Sequence, residues 1–171
     1  MKLGVPSKGR LKKEVLSWFN DKGVEIITSE DDRSYAAKVT GFSDIQLVES
    51  YSQTKDKNIL SKGGYDLVPF ISNLYNTSNK KLSCYFEYYS ETDEEILIQS
   101  SIVSKSTYKI VNELIKRKKC KSVFDASLIT FSIKDLISGT YVLKIEAINR
   151  NNEVVHTQNR QFYKINKDLK N

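Results

Sequence analysis

The sequence contains few of the residues that mark disulfide-rich, metal-binding or membrane-spanning proteins. Its 171 residues include two cysteines, two prolines and one histidine. Cys84 and Cys120 stand far apart without C-x-x-C or zinc spacing, and His156 has no cysteine or carboxylate cluster near it in sequence. No run approaches the ~18 apolar residues of a membrane helix, and the N-terminus lacks a charged-then-apolar leader pattern. We therefore expect no metal and no transmembrane segment, and the chain as written predicts a cytoplasmic protein.

The residues that are abundant favour a globular protein rich in β-structure. Apolar residues make up 39% and charged residues 28% of the chain, and ten tyrosines stand against one tryptophan. Tyrosine is favoured in strands, where its ring packs on a half-buried surface and its hydroxyl meets water. The net charge of +6 is spread along the chain, with one dense basic run at 116–121. Such a run is typical of a solvated turn or a guarded edge strand; an anionic partner is the alternative, and we do not expect nucleic acid.

The first 48 residues predict a short α/β fragment with a β-α-β order. An apolar strand at 3–6 is followed by a helix in which Leu11, Val15, Trp18 and Phe19 recur at helical spacing. Gly23 is the expected helix stop. Further strands are predicted at 24–27, 35–40 and 45–48.

The turn between the first strand and the helix has the composition of an anion site. Ser7, Lys8, Gly9 and Arg10 place a hydroxyl, two cations and free amides at a helix N-terminus, where the helix dipole also favours negative charge. The spacing is not that of a P-loop. The turn alone is equally compatible with a solvated loop that caps the helix.

Two stretches of this fragment resemble a known enzyme family. The run from Val5 to Leu11 (Val-Pro-Ser-Lys-Gly-Arg-Leu), and Asp-Arg-Ser-Tyr at 32–35 followed by Val-Thr-Gly at 39–41, resemble the start of ATP phosphoribosyltransferase, the first enzyme of histidine biosynthesis. The resemblance implies that Ser7, Lys8, Gly9, Arg10 and Arg33 contact nucleotide or phosphoribosyl groups.

The resemblance ends near residue 48. A polar segment at 50–58 replaces the family's continuation, and the second α/β domain that holds phosphoribosyl diphosphate has no counterpart. Asp135 to Thr140 superficially resembles the family's phosphate loop, but the β-type run 141–147 follows it instead of a helix. We therefore interpret 135–140 as a turn before a strand.

The remaining 123 residues predict an antiparallel β-sandwich. Residues alternate between apolar and polar along 82–89, 96–102 and 129–133, and a hairpin loop is predicted at 149–152. Pro69 indicates an edge or bulged strand. We expect seven or eight strands in two facing sheets. Tyrosines 75, 85, 88 and 89 suit either core packing or a partner-facing patch.

Two further stretches carry a second resemblance. Residues 43–50 and 64–71, together with the ending at 138–143 and 149–153, resemble an immunoglobulin-like domain of uncharacterised exported proteins from Bacteroidetes-type bacteria. This resemblance implies an envelope interaction module without known catalysis, whose relatives are exported.

Together these patterns predict a mainly β protein: an immunoglobulin-like antiparallel β-sandwich at 44–171, preceded by a short α/β (β-α-β) fragment at 1–43. The predicted function is a non-catalytic interaction or structural module that binds another protein or an envelope component and needs no cofactor. The alternative is a partial or degenerate ATP phosphoribosyltransferase that condenses ATP with phosphoribosyl diphosphate, with magnesium accompanying the nucleotide. A third hypothesis is a recombined chain whose two parts share no evolved function.

Overall fold

The chain forms two compact units, Met1–Gly41 and Phe42–Asn171. A computed structural model describes residues 10–28, 35–90, 95–119 and 125–166. Three sheets and one helix make up these residues. The described protein is therefore mainly β, as the tyrosine content and the period-two runs predict.

The first unit contains the predicted helix and two strands. Helix α1 (Arg10–Asp21) ends just before Gly23, whose φ of 71° is the left-handed conformation that glycine adopts without steric cost. Strands β1 (Val24–Thr28) and β2 (Tyr35–Val39) pair antiparallel. The predicted strand at 3–6 lies outside the described residues, so the full β-α-β order stays a prediction.

Eleven strands form the two larger sheets of the described chain, more than the seven or eight expected. The three additional strands are two-residue segments, too short to show an alternating pattern. The strands are β3 (Gly41–Phe42), β4 (Gln46–Gln53), β5 (Ser61–Lys62), β6 (Tyr65–Pro69), β7 (Leu74–Tyr75), β8 (Lys81–Tyr89), β9 (Glu95–Ser104), β10 (Ile110–Lys119), β11 (Asp125–Ser132), β12 (Gly139–Ile148) and β13 (Val154–Lys164).

One sheet has the order β11-β8-β4-β6-β5, with β3 also paired to β8, and the other has the order β10-β9-β12-β13-β7. All the pairings with a described register are antiparallel except that of β13 with β7. Both sheets contribute to one hydrophobic core, with Leu82, Cys84 and Phe86 from β8 and Leu143 and Ile145 from β12 fully buried in it. The two sheets therefore form a sandwich-like arrangement.

Several local predictions for this unit are confirmed. Pro69 ends β6 opposite Val48, where the β4–β6 register contains a bulge. Lys134 and Asp135 form a turn and Ser138 a bend before β12, and the loop at 149–152 joins β12 to β13 with Asn152 at a φ of 62°. The basic residues 116–119 lie at the end of an edge strand, β10, while Lys121 falls outside the described residues.

The interpretation of the tyrosines as a partner-facing patch is wrong for three of the four. Tyr75, Tyr85 and Tyr88 are buried, and Tyr89 is half-buried. The alternation along β8 correctly separates its two faces, but both faces are covered. Tyr85 packs with Val48 and Leu67 in a second, smaller core cluster on the opposite side of the sheet.

Candidate interaction surface

Strand β10 and the turn and groove next to it form the most distinctive surface of the second unit. We call this region the edge surface and define it as Tyr108, β10, and the groove-lining residues Ser132, Asp135, Leu136, Ile137 and Tyr141. Strand β10 is ten residues long and ends its sheet. In the described part of the chain, β9 is its one strand partner. Alternate backbone N–H and C=O groups of such a strand point away from the sheet and can pair with a further strand.

Apolar side chains are exposed along this strand. Ile110, Val111 and Ile115 all present large exposed surfaces, with Ile115 at 54%. Leu114, by contrast, packs against the core. An edge strand with both open backbone groups and exposed aliphatic side chains is a template for strand addition.

The turn that leads into β10 exposes an aromatic ring. Tyr108 has a φ of 56° and is 83% exposed. Its backbone N–H donates to the carbonyl of Ser104 at 2.8 Å, and the N–H of Ser104 donates to the carbonyl of Lys109 at 2.9 Å. The left-handed conformation is costly for a bulky residue, so these two hydrogen bonds help to hold the ring outward at the start of β10.

A groove of about 300 Å³ adjoins the first residues of the strand. Val111 and Asn112 line one side, and Ile137, which is 75% exposed, lies on the other. The Asn112 side-chain amide donates to the carbonyl of Ser132 at 3.0 Å, and this bond ties β10 to the end of β11 in the other sheet. The Tyr141 hydroxyl donates to the carbonyl of Ile137 at 2.9 Å. These bonds fix a small recess, lined by both polar and apolar side chains, at this end of the edge.

A second cluster, on the outer face of β8, has unusual electrostatics but a structural role. The hydroxyls of Tyr85 and Tyr89 donate to the two carboxylate oxygens of Glu87, the former at 2.6 Å, and the Lys62 ammonium lies 3.7 Å from the same carboxylate. The Ser43 hydroxyl accepts a hydrogen bond from the Glu87 backbone N–H at 2.9 Å. The carboxylate is thus saturated by neighbouring groups.

The pKa values in this cluster follow from that arrangement. Burial alone would raise the pKa of Glu87, but the two tyrosine hydroxyls and Lys62 outweigh it and hold the pKa below its ordinary value. Burial, and then the hydrogen bond to Glu87, raise the pKa of Tyr89 to about 12, and the same two causes raise the pKa of Tyr85. A carboxylate that stays ionised and tyrosines that stay protonated make a stable polar network rather than an acid–base pair at neutral pH.

The residues predicted from sequence to bind an anion fall outside the part of the chain that the structure describes, except for the backbone of Arg10. Ser7, Lys8, Gly9 and Arg33 lie outside the described residues. Arg10 is the first residue of α1, and its side chain is likewise outside the description. The site remains a prediction.

His156 lies on β13 and is half-buried, with its ring edge-on to Tyr88 at 5.7 Å. In the described residues, no group of three or more His, Cys, Asp or Glu side chains is placed to hold a metal ion. Within the same part of the chain, no helix has the length and apolar content needed to cross a membrane.

Sequence reasoning identified the basic run of β10 but missed the rest of the edge surface. The missed residues are Tyr108 and the exposed aliphatic side chains Ile110, Val111 and Ile115. The available signal was the coincidence of a β-branched run with a dense basic run, since lysines commonly mark exposed edges.

The described unit thus defines a mainly β protein with an open edge. No family model matches the chain. Among curated proteins, the chain is 40% identical over 48 residues to an ATP phosphoribosyltransferase of Cereibacter sphaeroides, a match that covers 28% of this chain and 20% of that protein. It is 39% identical over 46 residues to the ATP phosphoribosyltransferase of Brucella ovis, covering 27% and 20%. The chain therefore matches about a fifth of the length of these relatives.

Proposed function

We propose that the second unit is a non-catalytic, immunoglobulin-like β-sandwich module that binds another protein through the edge surface. The observation that carries the proposal is the exposure of Ile110, Val111 and Ile115 along an open edge strand. Exposed aliphatic side chains beside unpaired backbone groups favour strand addition. Tyr108 adds a large ring at low conformational cost, a frequent anchor in protein interfaces.

A second group of exposed apolar residues supports this role less well. Ile59 and Leu60 directly precede the short strand β5 and line part of a groove of about 170 Å³, and Ile71 is exposed after β6. The strand at this edge is two residues long. It therefore offers apolar side chains but little backbone for a further strand to pair with.

A random peptide library displayed on phage tests the proposal with the full chain as bait. We expect enriched peptides whose binding is lost in Ile115→Ser. The matched control is Ile71→Ser, which removes an exposed aliphatic side chain far from β10 in the sheet order. Failure to enrich any peptide, or equal binding to both variants, would contradict the use of the edge surface.

The alternative function rests on the N-terminal similarity. As a partial or degenerate ATP phosphoribosyltransferase, the chain would bind nucleotide through Ser7, Lys8, Gly9, Arg10 and Arg33. Catalysis would require holding two substrates in aligned geometry, and the match spans about a fifth of the curated relatives. The similarity therefore supports nucleotide or anion binding better than turnover.

Calorimetric titration with ATP and with phosphoribosyl diphosphate, run beside a product assay, separates these alternatives. Product formation, or micromolar binding that is lost in Lys8→Ala and Arg10→Ala, would favour the enzyme alternative. Absence of both would leave the interaction module as the better account.

We treat the two units as separately folding parts. The fragment 42–171 is the informative one to express, because it keeps Phe42, whose ring packs edge-on against Phe86 and Tyr88 at 5.7 and 4.9 Å. It also keeps Ser43, which exchanges two hydrogen bonds with the backbone of Glu87. We expect this fragment to fold; an unfolded fragment would contradict the two-part interpretation.

A further inference from the structure

Strand β10 combines an open edge with a strongly asymmetric charge. Its last four residues, Lys116 to Lys119, are all basic, and Glu113 is its one acidic residue. The Glu113 carboxylate accepts a hydrogen bond from the Gln99 side chain at 2.6 Å. The first residues of the strand, by contrast, are apolar and adjoin the groove at Val111 and Ile137. One end of the edge is therefore suited to acidic groups and the other to apolar ones.

We propose that the edge surface binds an extended acidic peptide segment, which adds to the sheet as an antiparallel strand beside β10. This inference rests on the proposed function and names the chemistry of the partner. Antiparallel addition continues the pattern of this sheet, in which β10, β9, β12 and β13 pair antiparallel throughout. Antiparallel pairs are also slightly more stable per residue than parallel ones.

The direction of the added strand follows from the chain direction of β10, which runs from Ile110 to Lys119. An antiparallel partner begins opposite Lys119 and ends opposite Ile110. Its first residues therefore meet the basic end, and its last residues meet Val111 and the groove. The expected ligand has acidic residues at its N-terminal half and alternating aliphatic residues at its C-terminal half.

The charge also favours β10 over strands β11 and β13. Strand β11 ends the other large sheet but contains Asp125 and no Lys or Arg. Strand β13 contains Arg160 and Lys164, but Lys164 is buried and Tyr163 and Lys164 already pair with β7. An acidic segment is therefore attracted to β10 more strongly than to either of these strands.

The test uses synthetic peptides of about ten residues, the length of β10, with the full chain. One peptide carries glutamates in its N-terminal half and alternating valine and threonine in its C-terminal half. Its controls are the reversed sequence and a version with glutamine in place of glutamate. We expect the acidic-first peptide to bind at least tenfold more tightly than either control, and its advantage to shrink when salt rises from ~50 mM to ~500 mM.

Charge-removal variants locate the binding. The variant Arg117→Gln/Lys118→Gln/Lys119→Gln should weaken binding of the acidic peptide about tenfold. The control Lys55→Gln/Lys57→Gln/Lys80→Gln removes equal charge from exposed positions outside β10 and should leave binding within about twofold. Equal losses in the two variants would show non-specific attraction to a basic protein and would overturn the proposal.

Backbone pairing is tested with two N-methylated forms of the acidic peptide, each methylated on one alternate set of residues. Strand addition requires that one form lose binding and the other keep it, because alternate amides face β10. Amide hydrogen exchange should show new protection in β10. Protection in β11 or β13 instead, binding of both methylated forms, or formation of a dimer of the chain at the same edge would overturn the proposal.

The outcomes separate this inference from the proposed function. If library peptides bind in an Ile115-dependent way but the acidic-first peptide has no advantage, the interaction module stands and the acidic partner is wrong. If no peptide of any charge binds β10, both are wrong. Preferential binding of single-stranded nucleic acid over the acidic-first peptide would also overturn the proposal.

Discussion

The hairpin between β5 and β6 offers a sharp test of how the second core cluster is built. Gly63 and Gly64 both have positive φ, at 54° and 86°. A Cβ at Gly63 would lie 2.4 Å from the Tyr85 hydroxyl oxygen and 2.8 Å from the Cβ of Ala126. A Cβ at Gly64 would meet nothing within 4 Å. The two adjacent glycines thus share a backbone constraint but differ in packing.

The expected cost of each alanine substitution follows from these two terms. A left-handed backbone costs an alanine about 1–2 kcal/mol relative to glycine, and this is the whole effect expected for Gly64→Ala. Gly63→Ala adds overpacking of about 1–3 kcal/mol, because Tyr85 is fully buried and hydrogen-bonded to Glu87. Gly63→Ala should therefore lower the free energy of unfolding by about 2–5 kcal/mol.

Urea denaturation followed by far-UV circular dichroism measures both variants in the full chain. Trp18, the one tryptophan in the sequence, lies in α1 of the first unit, so its fluorescence separately reports that unit. We expect Gly63→Ala to lower the free energy of unfolding by at least ~1 kcal/mol more than Gly64→Ala does. The denaturant slope should be the same for both variants. Equal costs for the two variants would refute the close contact between Gly63 and Tyr85.

Three further predictions concern buried groups. Lys164 is buried and donates to two backbone carbonyls, so Lys164→Met should cost about 2–4 kcal/mol. The control Lys134→Met, at the exposed ion pair with Asp135, should cost under ~1 kcal/mol by the same denaturation assay. Burial lowers the pKa of His156 in the folded protein. The neutral, buried imidazole therefore contributes stability above its ordinary pKa of 6.5, and this contribution is lost as pH falls through the folded pKa. An NMR titration of His156 with a midpoint at or above 6.5 would contradict this lowered pKa. Burial raises the pKa of the Cys84 thiol, so in Cys120→Ser a thiol reagent should react with Cys84 only upon unfolding.

The polar network on β8 explains why a charged residue is tolerated on a covered sheet face. Glu87 accepts hydrogen bonds from two tyrosines and lies near Lys62, so its burial leaves no carboxylate oxygen without a partner. A buried charge is costly unless it is paired and hydrogen-bonded. Period-two alternation placed Tyr85, Glu87 and Tyr89 on one face correctly but gave no indication that the β5–β6 hairpin covers it.

Short-range sequence patterns were sufficient to predict the local structure of this protein. Helical spacing of apolar residues and Gly23 predicted α1 and its end, and alternation along β8 predicted a strand with Leu82, Cys84 and Phe86 on one face. These features depend on dihedral preferences and on neighbours within a few residues, which the chain encodes directly.

Tertiary structure alone decided which strands lie at sheet edges and which faces are covered. The basic run at 116–119 was compatible with a turn or an edge strand until the strand order placed β10 at the end of its sheet. Tyr85 was equally compatible with an exposed patch until Gly63 and Leu67 were found against it. The edge position of β10 and the covering of Tyr85 both depend on contacts between segments far apart in the chain. Alternation specifies the two faces of a strand, but it does not specify which strands pair with it.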